Sequence, residues 1–123
     1  MQRIGSHPAS AILRGIDDLV RIDPEYRQIP IVIVEDIRSA EWASITFTGL
    51  RHEFDLRLEG DDDSVAAAIT RLAGGIGASE VPMAGHFLAE IAVVAVLAGR
   101  QTTGGAPGHW GQRLRIEALT IRD

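Results

Sequence analysis

The chain has 123 residues, 46% of them hydrophobic and 24% charged, which is typical of one soluble globular domain spanning 1–123. It contains neither cysteine nor lysine, which excludes disulfides, thiolate nucleophiles, Cys-based zinc sites, Schiff bases and P-loop lysines. The formal net charge of -5 disfavours binding to nucleic acid, because that binding needs a cationic surface.

The first ten residues, MQRIGSHPAS, lack the long apolar run of a signal peptide. The most apolar segment, 87–98, is too short to cross a bilayer and carries Glu90. We therefore expect a cytoplasmic protein with no membrane contact. The abundance of Ala, Gly and Arg, with no Lys or Asn, suggests a bacterial genome rich in G and C.

The first predicted element is an amphipathic helix at 9–23, where Ile12, Ile16 and Leu19 recur at helical spacing. Pro24 blocks its continuation. The β-branched run 29–37 has apolar residues on both faces, which predicts a strand that is buried on both sides.

The segments 42–48 and 51–59 both alternate, and Gly49-Leu50 between them suits a type II′ turn. In the predicted hairpin, Phe47 pairs with His52 on an inward, apolar face. In this register the apolar residues fall on one face of the hairpin and the polar residues on the other, as a correct register requires. The outward face carries the pairs Thr48–Arg51, Thr46–Glu53, Ser44–Asp55 and Trp42–Arg57.

A second helix is predicted at 63–74, with an acidic start and glycines at its end. The segment 86–98 has the length and alanines of a helix but the β-branched content of a strand, and we favour the strand. A long glycine-rich loop at 99–112 then leads to a terminal strand at 113–123.

The resulting order is α-β-β-β-α-β-β, which indicates an α+β fold. We expect a mainly antiparallel five-stranded sheet with two helices packed on one face. The other face would then expose Val, Ile and Leu side chains from 30–35 and 86–98. Contiguous exposed apolar patches of this kind usually mark an interface.

His52 is the first candidate for a catalytic residue, as a partly buried acid/base at the rim of the inward face. Arg51 or Arg57 would bind an anionic substrate. The alternative is a histidine that stacks on Phe47 beside the turn and has no catalytic role. A metal site formed by His52 with the other histidines is not expected. His86 shares strand parity with Glu90, and this places it on the opposite face of the sheet.

Two further regions are candidates for binding. The strands 30–35 and 51–59 would flank a middle strand and run in the same direction, so their acidic ends would meet at one edge. Such an edge could hold a divalent cation or a basic partner, or the carboxylates could simply be solvated and cap a helix. The acidic residues are Glu35, Asp36, Glu59, Asp61, Asp62 and Asp63. The loop 103–111 could present His109 and Trp110 as a binding element, or be a hairpin loop without function.

These features lead to two hypotheses. The first is a non-enzymatic binding or assembly module that forms a homodimer through the sheet or an edge strand. The alternative is a small enzyme with a pocket at the 49–52 hairpin rim, acting on an anionic small molecule through His52. No motif predicts a cofactor or a metal. The expected partners are a second copy of the chain and a small molecule or protein that the sequence does not identify, with no nucleic acid and no membrane.

Overall fold

The structure is a computed structural model that describes residues 7–22, 29–75, 81, 83–97, 100–101 and 109–123. The described elements are two helices and five strands: α1 (Pro8–Arg21), β1 (Ile31–Ala43), β2 (Thr48–Asp61), α2 (Asp62–Gly75), β3 (His86–Val96), β4 (Arg100–Gln101) and β5 (His109–Arg122). Neither of these helices is long and apolar enough to span a membrane.

The sheet has the strand order β1-β2-β5-β3, and all paired strands are antiparallel. β4 pairs with β5 beyond the end of β3 and continues the same edge. The sheet therefore has four long strands and a two-residue fifth. The α+β class and the mainly antiparallel sheet are confirmed, but the predicted element order is wrong.

Both helices pack on one face of the sheet, which we call the helix face. On β2, alternate residues from His52 to Leu58 are fully buried there, and their partners on β5 are also apolar and buried for most of this length. The core consists of Ile12, Ile16 and Val20 from α1, Val65, Ala68 and Leu72 from α2, and the sheet residues Phe54, Leu56, Leu58, Leu114, Ile116 and Ala118.

Both helices are confirmed close to their predicted bounds. α1 begins after His7, whose Nδ1 accepts a hydrogen bond from the Ala9 amide at 3.1 Å. Its end is held by α2, because Arg71 donates to the carbonyl oxygens of Leu19 and Val20 at 3.0 and 2.8 Å. These two carbonyls belong to the last turn of a helix, where no intrahelical donor is available.

The predicted hairpin at 42–59 is wrong. The segments 29–37 and 42–48 do not form two strands, because β1 runs unbroken from Ile31 to Ala43 with a bulge between Val34 and Asp36. The turn lies at 44–47 instead. The Ser44 side chain closes it by accepting hydrogen bonds from the Thr46 and Phe47 amides at 3.3 and 3.0 Å.

Gly49 lies inside β2 and pairs with Trp42 and Ile121. An added Cβ would lie 2.0 Å from the carbonyl oxygen of Thr120 and 3.0 Å from the Cα of Ile121. Glycine is therefore needed here for the close approach of β5, and not for the backbone conformation of a turn.

The segment 86–98 is a strand, as favoured, with β3 covering His86–Val96. The terminal strand starts earlier than predicted, at His109, because β5 extends along the whole of β2 as far as Asp61. The predicted loop 99–112 therefore contains β4 and the start of β5. Residues 102–108 of that loop lie outside the described residues.

Candidate interaction surface

The face of the sheet opposite the helices, which we call the open face, is charged. Outward residues of β2 and β5 carry charges of both signs: Arg51, Glu53, Asp55, Arg57 and Glu59 on β2, and Arg113, Arg115 and Glu117 on β5. The expected apolar patch on this face is therefore wrong for most of the length of the two central strands, and Leu119 and Ile121 near the end of β5 are the apolar exceptions. Most of the aliphatic side chains lie on the helix face and on the outer strands of the sheet.

Arg38 on β1 is at the centre of an ion-pair network on the open face. Its Nε lies 3.3 Å from Glu53 Oε1, its Nη1 lies 3.0 Å from Asp55 Oδ2, and it also contacts Asp36. Arg115 reaches Asp55 from β5, with Nε 2.8 Å from Oδ1. Hydrogen bonds from Arg115 and Arg38 lower the pKa of Asp55, and the same contacts raise the pKa of both arginines.

Glu35, the bulged residue of β1, forms a second group of ion pairs. Its carboxylate accepts from Arg57 Nη1 at 3.2 Å and lies 3.1 Å from Arg113 Nε. Glu59 Oε2 lies 2.9 Å from Arg57 Nε, although the N–H direction does not meet hydrogen-bond geometry. Partly exposed pairs of this type stabilise weakly one by one. Their main effect is that the charges of the open face largely neutralise one another.

The predicted acidic edge is not assembled. β1 and β2 are adjacent and antiparallel, so Asp36 lies opposite Asp55 in the middle of β2, while Glu59 pairs with Ile31 at the start of β1. The prediction failed because it assumed a third strand between them. Glu35 and Asp36 contact arginines of the open face, where Glu59 also lies.

The remaining acidic residues, Asp61, Asp62 and Asp63, lie at the start of α2. Asp61 accepts hydrogen bonds from the amide and the hydroxyl of Ser64, and these bonds lower the pKa of Asp61. One oxygen of each carboxylate lies within 4.8 Å of the others. Carboxylates are favourable at a helix N-terminus without any ion, so this group has a sufficient structural role.

His52 is fully buried at one end of the helix face. Its Nδ1 lies 2.7 Å from Ser39 Oγ, and its Nε2 lies 2.9 Å from Thr120 Oγ1. Burial lowers the pKa of His52 to about 4, and the nearby imidazoles of His7 and His86 add to the shift. The ring is therefore neutral at neutral pH, with both nitrogens engaged.

The residues of the hypothetical enzyme site are not brought together. Arg51 and Arg57 lie on the open face, on the other side of the sheet from His52. A cavity of about 310 Å³ does lie near the predicted rim, lined by Glu41, Trp42, Ala43, Thr48, Gly49, Leu50 and Arg122, and His52 is not among these residues. Catalysis by His52 stays a prediction.

His86 lies on the helix face with His52, contrary to the expectation of opposite faces. The reason is a bulge at Ala89, between Leu88 and Glu90, which reverses the alternation partway along β3. Glu90 therefore points to the open face while His86 does not. His109 and Trp110 lie in β5 and not at a loop tip, and their side chains are outside the described part of the structure.

The exposed apolar side chains are concentrated at the two outer strands of the sheet. On β1, Val34 and Ile37 are 44% and 37% exposed, and on β3, Phe87 and Val96 are 46% and 51% exposed. We call these outer strands the β1 edge and the β3 edge. The excess of apolar residues in 30–35 and 86–98 signalled an exposed surface, but it could not indicate that this surface is a pair of edges.

No protein-family model matches the sequence, and no curated protein matches it. One solved structure with a similar fold is described as "Virion of native gene transfer agent (GTA) particle". A chain of it superposes with a TM-score of 0.59 at 14% identity, covering 98% of this chain and 99% of that chain. This likeness at low identity establishes a shared fold over the full length of both chains.

Proposed function

We propose that this protein is a structural subunit that associates with copies of itself in a multi-chain assembly, as a component of a virion-like particle. The observation that carries the proposal is the set of exposed apolar side chains on both outer strands of the sheet. A free strand edge presents unpaired backbone N–H and C=O groups, and natural proteins usually protect it with charges, proline or a covering segment. Within the described part of the chain no strand pairs with the outer side of β3, and Glu90 is the only charged residue between His86 and Val96.

The open face gives the assembly a surface of a different character. Most of its arginines and carboxylates pair within one copy, which leaves little free charge to attract nucleic acid or an oppositely charged partner. The net charge of -5 acts in the same direction. Association is therefore expected to depend on apolar contacts and strand pairing rather than on charge.

The fold likeness to a chain of a virion particle supports the same role, since both chains match over nearly their full lengths. The test is the mass of the purified wild-type protein in solution, measured by light scattering and native mass spectrometry. We expect assemblies whose masses are multiples of the 13.3 kDa chain and that persist in 1 M NaCl. A monomer at all concentrations up to about 1 mM, near the limit of weak association, would contradict the proposal.

A further inference from the structure

We propose that copies of this chain associate head to tail, with the β3 edge of one copy pairing with the β1 edge of the next, so that the sheet continues from copy to copy. This inference rests on the proposed self-association and specifies the surfaces that carry it. It identifies the partner of each edge as the other edge of a second copy.

The strand directions allow this junction. Neighbours are antiparallel throughout the order β1-β2-β5-β3, so β1 and β5 run one way while β2 and β3 run the other. The two outer strands are therefore antiparallel to each other. A second copy placed beside the first in the same orientation brings its β1 edge antiparallel to the β3 edge, with all helices on the same side of the extended sheet.

The side chains of the helix face also match across such a junction. One row across the sheet contains Val34, Leu56, Leu114 and Val96, and the next contains Ile37, Phe54, Ile116 and Val93. Both rows are buried in the middle and partly exposed at their ends. If the rows continue into the next copy, Val96 meets Val34 and Val93 meets Ile37, which covers both exposed ends.

The open face is compatible with the same register. Trp42, Gly49, Ile121 and Phe87 form one row, so Phe87 meets Trp42 of the next copy. In the charged rows, Ala92 and Ala95 of the β3 edge would face Arg38 and Asp36. Small residues opposite long charged ones leave the arginine pairs of β1 intact and place no like charges together.

Pairing of two identical edges, β1 with β1 or β3 with β3, accounts for fewer of the exposed apolar side chains than head-to-tail pairing does. A β1 edge against another β1 edge brings together two strands that each contain three carboxylates, Glu35, Asp36 and Glu41, against one arginine, Arg38. A β3 edge against another β3 edge joins apolar surfaces but leaves Val34 and Ile37 uncovered in every copy. Head-to-tail contact covers both edges and is a heterologous interface, which forms rings or filaments rather than only dimers.

The test uses two variants, each with one edge blocked by charge. The β1-blocked variant carries Val34→Lys and Ile37→Lys, and the β3-blocked variant carries Phe87→Lys and Val96→Lys. Head-to-tail association predicts that each variant alone is a monomer and that a mixture of the two forms a 1:1 heterodimer through the unblocked edges. Ile22→Lys, at an exposed position after α1, serves as the control and should keep the wild-type mass.

Each other result identifies a different failure. A β1-blocked variant that dimerises alone would indicate pairing between two β3 edges and overturn the inference, while leaving the proposed self-association intact. A β3-blocked variant that dimerises alone would indicate pairing between two β1 edges and would likewise overturn the inference while leaving the proposed self-association intact. Blocked variants that keep the wild-type mass, or that stay monomeric when mixed, would also overturn it. A monomeric wild type would instead contradict the proposed function.

Circular dichroism and a thermal melt would establish that each variant is folded. If the lysine variants do not fold, the milder pair Val34→Thr and Val96→Thr takes their place. Threonine is similar in size to valine and suits a strand, so the fold is retained while the apolar contact is weakened. We expect at least a tenfold loss of association for each. Wild-type affinity in both variants would overturn the inference.

Discussion

Replacing Gly49 with alanine tests the close approach between β2 and β5. The new Cβ would lie 2.0 Å from the Thr120 carbonyl oxygen, whereas carbon–oxygen contacts are comfortable at about 3.3 Å. The strands must separate by about 1 Å, or the end of the ladder beside Ile121 must open. Overpacking of this kind costs about 1–3 kcal/mol. For a chain of 123 residues that corresponds to a fall in Tm of about 4–12 °C.

The assay is a thermal melt followed by circular dichroism, with Gly74→Ala as the matched control. No described residue lies within 4 Å of a Cβ at Gly74 in α2, so alanine there should be neutral or stabilising by up to about 1 kcal/mol. A Gly49→Ala variant that melts with the wild type would refute the reasoning, because the sheet would then have room for the side chain.

A companion variant separates the two positions considered for the turn. With the turn at 44–47, Ser44→Ala removes the acceptor for the Thr46 and Phe47 amides and should cost about 0.5–1.5 kcal/mol. With a turn at Gly49-Leu50, Ser44 would be an outward residue in mid-strand and the change would be nearly neutral. An unchanged Tm for Ser44→Ala would therefore favour the turn predicted from the sequence.

Two further predictions concern a histidine buried on the helix face and an arginine that joins the two helices. Stability should fall as pH drops from about 6.5 to about 4: the unfolded imidazole of His52 takes up its proton at its ordinary pKa of 6.5, while the folded one resists protonation down to about 4. The loss is up to about 3 kcal/mol. Urea unfolding at stepwise pH should show this slope in the wild type and not in His52→Gln, and equal slopes would contradict it. Arg71→Gln should lower stability by about 1–2 kcal/mol, with Arg71→Lys in between, because it removes the donors to the end of α1. Equal urea midpoints for all three proteins would show that these hydrogen bonds contribute nothing.

Alternation along β2 was enough to predict which residues point inward. His52, Phe54 and Leu56 all lie on the helix face, as the pattern indicated. The position of the turn could not be predicted in the same way. The predicted register pairs His52 with Phe47, and the observed one pairs it with Ser39, eight residues earlier. A register shift by an even number of residues leaves every side chain on the same face. The separation of apolar from polar residues therefore does not distinguish these two registers.

β-Bulges are a second reason why the sequence pattern could not predict which face a side chain occupies. At Ala89 one extra residue reverses the alternation of β3, which places His86 on the helix face and Glu90 on the open face. At Glu35 a bulge likewise moves Asp36 out of the parity expected from the preceding strand. Bulges depend on which strands are neighbours and how they twist, and a period-two pattern in one segment contains no such information.

The apolar excess was attributed to a whole sheet face, and the width of the sheet explains why the edges carry it instead. Two helices cover the two central strands, where Leu56 and Leu114 are almost fully buried. The same apolar rows extend outward to Val34 and Val96, which the helices cover only in part. Most arginines and carboxylates of the open face form ion pairs with one another, so that face has little need of a partner. An exposed edge leaves both apolar side chains and backbone hydrogen-bonding groups uncovered. A strand of a second copy covers both at once, whereas stacking of two sheet faces would leave the edge backbone unpaired. Extension of the sheet is therefore the favoured mode of association.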